Sequence, residues 1–138
     1  MLGPFQQSQL RIEIDATAPQ LTKVLLSTSH LRYWLFPQRL PDNLPLELHS
    51  GLVFTAWIGP VFVEHKVDEL GPDLLRLTLS GAVDGVHEWR WGEGWVQSCL
   101  EGISLVPLHL SNTATLLRLK TYLSLEQRLH GKGTPATG

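Results

Sequence analysis

The stretch GAVDGVHEWRWGEGWVQS, residues 81–98, alternates in kind: Val83, His87, Trp89, Trp91, Val96 and Ser98 fall on one side, Glu88, Arg90 and Gln97 on the other. Successive side chains of a strand point to opposite faces, so this is the pattern of a hairpin with one face buried and one in water. Glu93-Gly94 supplies the reversal between its two runs. Indoles at 89 and 91 on the buried side need a broad cover, which a lone hairpin cannot supply.

Working outward, turn chemistry recurs at His49-Ser50-Gly51, Gly59-Pro60, Gly71-Pro72-Asp73 and Asp84-Gly85, and predicts six strands from Leu46 onward, joined as hairpins. A slip of one residue turns a strand inside out, so the loops must place apolar residues on one common face. Two-residue loops at Gly59-Pro60 and Glu93-Gly94, with three-residue loops at Gly71-Pro72-Asp73 and Asp84-Gly85-Val86, do so. The resulting rows are Phe54, His65, Leu79, Trp91, Val96; then Ala56, Val63, Gly81, Trp89, Ser98; then Ile58, Val61, Val83, His87, Leu100. Gly81 opposite Trp89 would leave room for the indole, and Asp68 would pair with Arg76 on the outer face.

Upstream, Leu10–Ala16 alternates as a half-buried strand. Pro19 suits a first helical turn, with Leu21, Val24 and Leu25 at helical spacing; Leu31, Trp34 and Leu35 predict a second short helix that stops before Pro37. Downstream, Ser111 or Asn112 can cap a helix with Leu116, Leu119, Tyr122 and Leu123 on its apolar face, running to Leu129. The expected organisation is an N-terminal segment over 1–9, one domain over 10–130 and a small, polar, disordered tail over 131–138. The fold class is α+β: a seven-stranded twisted antiparallel sheet wrapped around a long C-terminal helix, with two short helices after the first strand.

The whole chain narrows the function. It has 138 residues, 43% hydrophobic, and a formal charge of -2 with no basic face, so nucleic acid is not an expected partner. One cysteine, Cys99, excludes an internal disulfide and a thiolate metal cluster. No apolar run is long enough to span a membrane and no secretory signal is legible, so a cytoplasmic location is expected.

The order of elements, with RIEIDATAPQLTKVLLSTSHLRYWLFP (residues 11–37) as opening strand and helices and residues 81–98 as late hairpin, resembles the START-like helix-grip superfamily, which includes polyketide cyclase/dehydrase and lipid-transport proteins. The resemblance covers about Leu10 to Leu129 and rests on element order and loose motifs. It implies a cavity between the sheet and the C-terminal helix for a lipid, polyketide or other apolar molecule, and it implies no particular reaction.

The inward residues expected to line that cavity are Phe54, His65, His87, Trp89, Trp91 and Ser98, with Glu69 at the rim and the helix from Asn112 to Leu129 closing it. His65 and His87, two strands and four residues apart in this register, would have backbones about 16 Å apart and could neither form a dyad nor share a metal. Ser98 has no base beside it in this register. No metal-ligand spacing and no phosphate-binding loop occurs, so neither metal nor cofactor is expected. The leading reading is binding or carriage of an apolar small molecule. The alternatives are a cyclase/dehydratase-type enzyme using His65 or His87, and a protein-interaction domain with a filled cavity. Trp57 and Phe62 face outward together, which fits a homodimer contact or cover by Met1–Gln9.

Overall fold

The computed structural model of the chain describes residues 3–35 and 38–133, with the backbone alone for 130–133. The elements are β1 (Phe5–Glu13), α1 (Ala18–Leu26), α2 (Thr28–Trp34), β2 (Val53–Ile58), β3 (Val61–Gly71), β4 (Leu74–Gly81), β5 (Val83–Gly92), β6 (Trp95–Ser104) and α3 (Leu108–Gly133). The six strands form one antiparallel sheet in the order β1-β6-β5-β4-β3-β2. Its buried face carries Phe54, Val67, Leu75, Leu77, Leu79, Trp89, Trp91 and Val96, which pack against Leu21, Leu25, Leu31 and Trp34 of the short helices and Leu108, Leu116, Leu119 and Leu123 of α3. No helix among the described residues is long and apolar enough to cross a membrane.

The sheet has six strands, not the seven expected. The segment around Leu46–Leu48 crosses the junction of the two short helices instead of joining the sheet: Leu46 O accepts from Thr28 N, Leu48 N donates to Leu26 O, and Thr28 Oγ1 donates to Pro45 O. That crossing occupies the backbone groups a strand would have used. At the other end β1 begins at Phe5 rather than Leu10, and Phe5 to Gln9 pair with β6. These residues therefore lie at the opposite edge of the sheet from Trp57 on β2 and do not cover it.

Thr17 caps α1 through a reciprocal pair with Gln20, and Pro19 sits in the first turn, as expected. Helix α3 starts four residues before Asn112, at Leu108, whose N–H is held by Gln6 Oε1 at 2.9 Å. A side chain from β1 thus does the work expected of Ser111 or Asn112. The helix continues through Gly133, so residues 131–133 of the expected tail are helical; the rest of that tail lies outside the described residues.

The hairpins β2–β3 and β5–β6 have the expected register, including Phe54 opposite His65, Trp89 opposite Ser98 and Trp91 opposite Val96. The other two differ. Between β3 and β4 the reversal uses Pro72-Asp73 alone, and a bulge at Asp68 restores the register, with Val67 opposite Leu77 but Glu69 opposite Arg76. Arg76 pairs with Glu88 at 3.5 Å, not with Asp68, which accepts from Thr78 Oγ1. The bulge also changes the phase of alternation, so Glu69 is exposed and does not reach the rim.

Between β4 and β5, Leu79 lies opposite Gly85 and Leu75 opposite Trp89, where Trp91 and Gly81 were expected. Gly81 turns the chain with φ +101° while Asp84 Oδ1 accepts its N–H at 3.3 Å. Gly85 is already in β5: a Cβ there would collide with the Glu101 carbonyl of β6, so the glycine serves close strand approach and not the turn. The displacement is an even number of residues, and each side chain keeps its expected face.

Candidate functional site

The inner face of the sheet is not filled throughout. A cavity with lobes of about 250 and 60 Å³ lies between the β2–β5 surface, α2 and one flank of α3. Ala56, Val63, His65 and His87 form its floor, Trp34 and Leu35 one wall, and Thr115 and Arg118 of α3 the roof; Phe54, Leu77 and Trp89 line the smaller lobe. Ile58 and Val61, half exposed at the end of the β2–β3 hairpin, form the lip. Larger hollows, of about 650 Å³ beside Arg39 and Trp57 and about 390 Å³ between Tyr33 and Leu125, are open surface depressions.

Four of the six residues expected at the site, Phe54, His65, His87 and Trp89, border this cavity. Their rings form a continuous wall: Phe54 stacks parallel on His65 at 4.9 Å, His87 tilts onto Trp89 at 4.8 Å, and Trp34 meets Trp89 edge-on at 5.6 Å. Trp91 does not join them. It is fully buried under α1, with its indole N–H donated to Thr22 Oγ1 at 2.9 Å. Ser98 is fully buried behind His87.

The observed register brings the histidines closer than expected. They are two strands but only two residues apart, which places their backbones about 12 Å from one another. Burial lowers His65 to about 4, partly offset by its hydrogen bond to the Val63 carbonyl; burial, with His65 adding, lowers His87 to about 3. Both rings are therefore neutral at physiological pH.

Ser98 does have an imidazole beside it: His87 Nε2 and Ser98 Oγ are 2.7 Å apart. The two sit diagonally across β5 and β6, a neighbour relation that straight rows of opposed residues omit. The network behind them assigns their protons. Asn112 Nδ2 donates to Ser98 O and to Ser8 Oγ, each at 3.1 Å, so its Oδ1 faces Ser98 Oγ at 2.6 Å and must accept. Ser98 spends its one proton on Asn112 and accepts from His87 Nε2. The serine hydroxyl is consequently not hydrogen-bonded to a base, and the pair is not arranged for nucleophilic attack. Ser8 Oγ continues the chain to Nδ1 of the exposed His109 at 2.9 Å.

Ser8 was not expected at the site, and Asn112, Thr115 and Arg118 were expected only as part of the closing helix, without individual roles. Asn112 carried the strongest signal, since Leu108, Asn112, Leu116, Leu119 and Leu123 form one helical stripe in which a single amide interrupts the leucines. Outside the cavity, His30 Nδ1 and Tyr122 Oη meet at 2.6 Å and join α2 to α3; burial, with Glu126 adding, raises Tyr122 to about 12. Burial also raises the thiol of Cys99 on the outer face, away from reactivity. Among the described residues no cluster of three or more His, Cys, Asp or Glu could hold a metal ion.

Solved structures share this architecture. The Aha1 dimer from Colwellia psychrerythraea superposes with a TM-score of 0.65 at 15% identity, covering 83% of this chain and 93% of that one. DynU16, a protein of the dynemicin biosynthetic locus, gives 0.67 at 16% identity over 86% of this chain and 47% of its own. Protein CV1439 from Chromobacterium violaceum gives 0.67 at 16% identity over 86% and 95%. The fold is thus of the helix-grip type, as the sequence resemblance implied. No protein-family model and no curated protein matches the chain.

Proposed function

We propose that this protein binds a compact apolar molecule in the cavity between the sheet and α3 and acts as a carrier or binding module. The observation that carries the reading is a void of about 250 Å³ beside an aromatic wall, on the inner face of a sheet whose other inward side chains are buried in one hydrophobic cluster. Its volume lies near the lower end for small-molecule sites and favours a ring-sized ligand over a long-chain lipid. The binding reading is preferred over a cyclase/dehydratase because imidazoles lowered to about 4 and about 3 are weak bases near neutral pH. Native mass spectrometry of the purified chain tests it. A co-purifying small molecule, or saturable uptake of naphthalene as a probe, is expected; a chain that takes up neither would overturn it.

A second reading concerns assembly. Val53, Trp57 and Phe62 are 50%, 44% and 45% exposed on the outer face of β2 and β3, and Trp57 packs on Phe62 at 5.2 Å. One structural neighbour is described as a dimer. Self-association through this patch follows the same logic, and sedimentation across a concentration series tests it.

A further inference from the structure

We infer that the ligand of this cavity is a neutral molecule bearing a hydroxyl or N–H group, which it donates to bare nitrogens of His65 and His87. The inference rests on the cavity being a binding site and adds the polarity of its occupant.

A carbonyl oxygen can only accept, so the 3.1 Å contact between His65 Nδ1 and Val63 O places the His65 proton on Nδ1. Asn112, with both amide hydrogens committed, fixes the Ser98 proton, and Ser98 in turn fixes the His87 proton on Nε2. A neutral imidazole has one proton, so His65 Nε2 and His87 Nδ1 are left as lone-pair acceptors.

Neither of these atoms has a hydrogen-bond partner among the described residues. Yet no fully buried side-chain nitrogen or oxygen among them is unpartnered. Both nitrogens must therefore open onto accessible space, and the space these half-buried rings border is the cavity. Around them the floor is apolar: Ala56, Val63, Leu79 and Leu100. A hydroxyl or N–H group entering here meets an acceptor in a dry setting, whereas a carboxylate or ether oxygen meets a lone pair. The depressed basicity of both rings acts in the same direction, and Arg118 at the roof is an exposed residue whose Nε–H is donated to the Trp34 carbonyl at 3.3 Å, so its charge sits at the solvent side and not against the imidazoles.

Matched probes test this on the full chain. Naphthalene reports on the cavity alone; 1-naphthol, 1-methoxynaphthalene and 1-naphthoate add a donor, an acceptor and an anion. The expected result is that naphthalene binds and that 1-naphthol binds about tenfold tighter than 1-methoxynaphthalene, with 1-naphthoate weakest. In the His65→Phe/His87→Phe double variant the ratio of naphthol to methoxynaphthalene affinity should fall to about one, whatever the change in overall apolar binding. Equal affinities for naphthol and its ether, or a preference that survives in the double variant, would overturn the donor assignment and leave the cavity reading standing. Failure of naphthalene and naphthol alike would overturn both. Long-range 1H–15N spectra of the unaltered protein supply a test independent of variant folding: His65 should appear as the Nδ1–H tautomer and His87 as Nε2–H, and the reverse for either ring would refute the assignment of its free nitrogen as an acceptor facing the ligand.

Discussion

The two halves of the same sheet face are built differently. Under α3, the β1–β6 half is closed: Asn112 reaches Ser98 and Ser8, Gln6 caps the helix and also donates to the Ser104 and Val106 carbonyls, and the leucine stripe fills the rest. Across β2 to β5 the cover is two short helices with a break at Ser27 and one flank of α3; α1 closes over Trp91, but beside α2 the rings of His65 and His87 border open volume. A long helix can match a twisted sheet with a continuous stripe of side chains, whereas short helices meet it only at points such as Leu31 and Trp34. The closed half contributes stability and orients His87 through Ser98 and Asn112; the open half is left free to hold a ligand.

The largest effect expected from this contrast separates two neighbouring tryptophans. Trp91→Ala, fully packed beneath α1, should cost about 3–5 kcal/mol, as such aromatic truncations do. Trp89→Ala, at the cavity wall, should cost less, about 2 kcal/mol, because one side of its ring already lacks neighbours, but it should weaken apolar probe binding strongly. Urea midpoints and dye titrations on both variants check this; equal destabilisation with no effect on binding would mean the wall is ordinary core.

Next in size is the buried amide. Asn112→Leu preserves the shape of the stripe but strands the Ser98 and Ser8 hydroxyls, and should cost about 2–3 kcal/mol despite the added apolar surface. It should also release the tautomer of His87, visible as mixed Nδ1–H and Nε2–H signals in the same 15N spectra. A stable variant with an unchanged tautomer would show that Asn112 does not orient the site.

A graded effect, small for each step of pH, follows from acidification. Both histidines have folded-state values below their ordinary 6.5, so between pH 6.5 and about 4 the unfolded chain binds more protons, and stability falls as pH falls. The loss should reach at most about 1.4 kcal/mol per histidine per pH unit in that window and level off below the folded-state values. Comparing unfolding midpoints across pH for the natural chain and the His65→Phe/His87→Phe variant isolates this contribution from that of the carboxylates; parallel curves would contradict it.

The smallest stability change is expected outside the cavity. Trp57→Ala should alter stability by about 1 kcal/mol or less and leave naphthalene binding unchanged, while reducing any self-association seen by sedimentation.

Sequence alone determined which way side chains face within regular strand runs, because the period of a strand is two residues and even a six-residue shift in the pairing of β4 with β5 preserves parity. Trp89 and Trp91 went in and Glu88 and Arg90 out whatever the register. It also determined the start of α1, marked by Pro19, and the apolar stripe of α3, which are local signals. Tertiary structure decided what depends on long-range contact. Gly81 and Gly85 both look like turn residues, and only the approach of the Glu101 backbone shows that the second lies within a strand. The bulge at Asp68 that moved Glu69 outward left no mark in composition. The site itself is of this kind: Ser8, His87, Ser98 and Asn112 come from two edges of the sequence, and the direction of their hydrogen bonds is defined only when Asn112 is buried between strands that the chain reaches about a hundred residues apart.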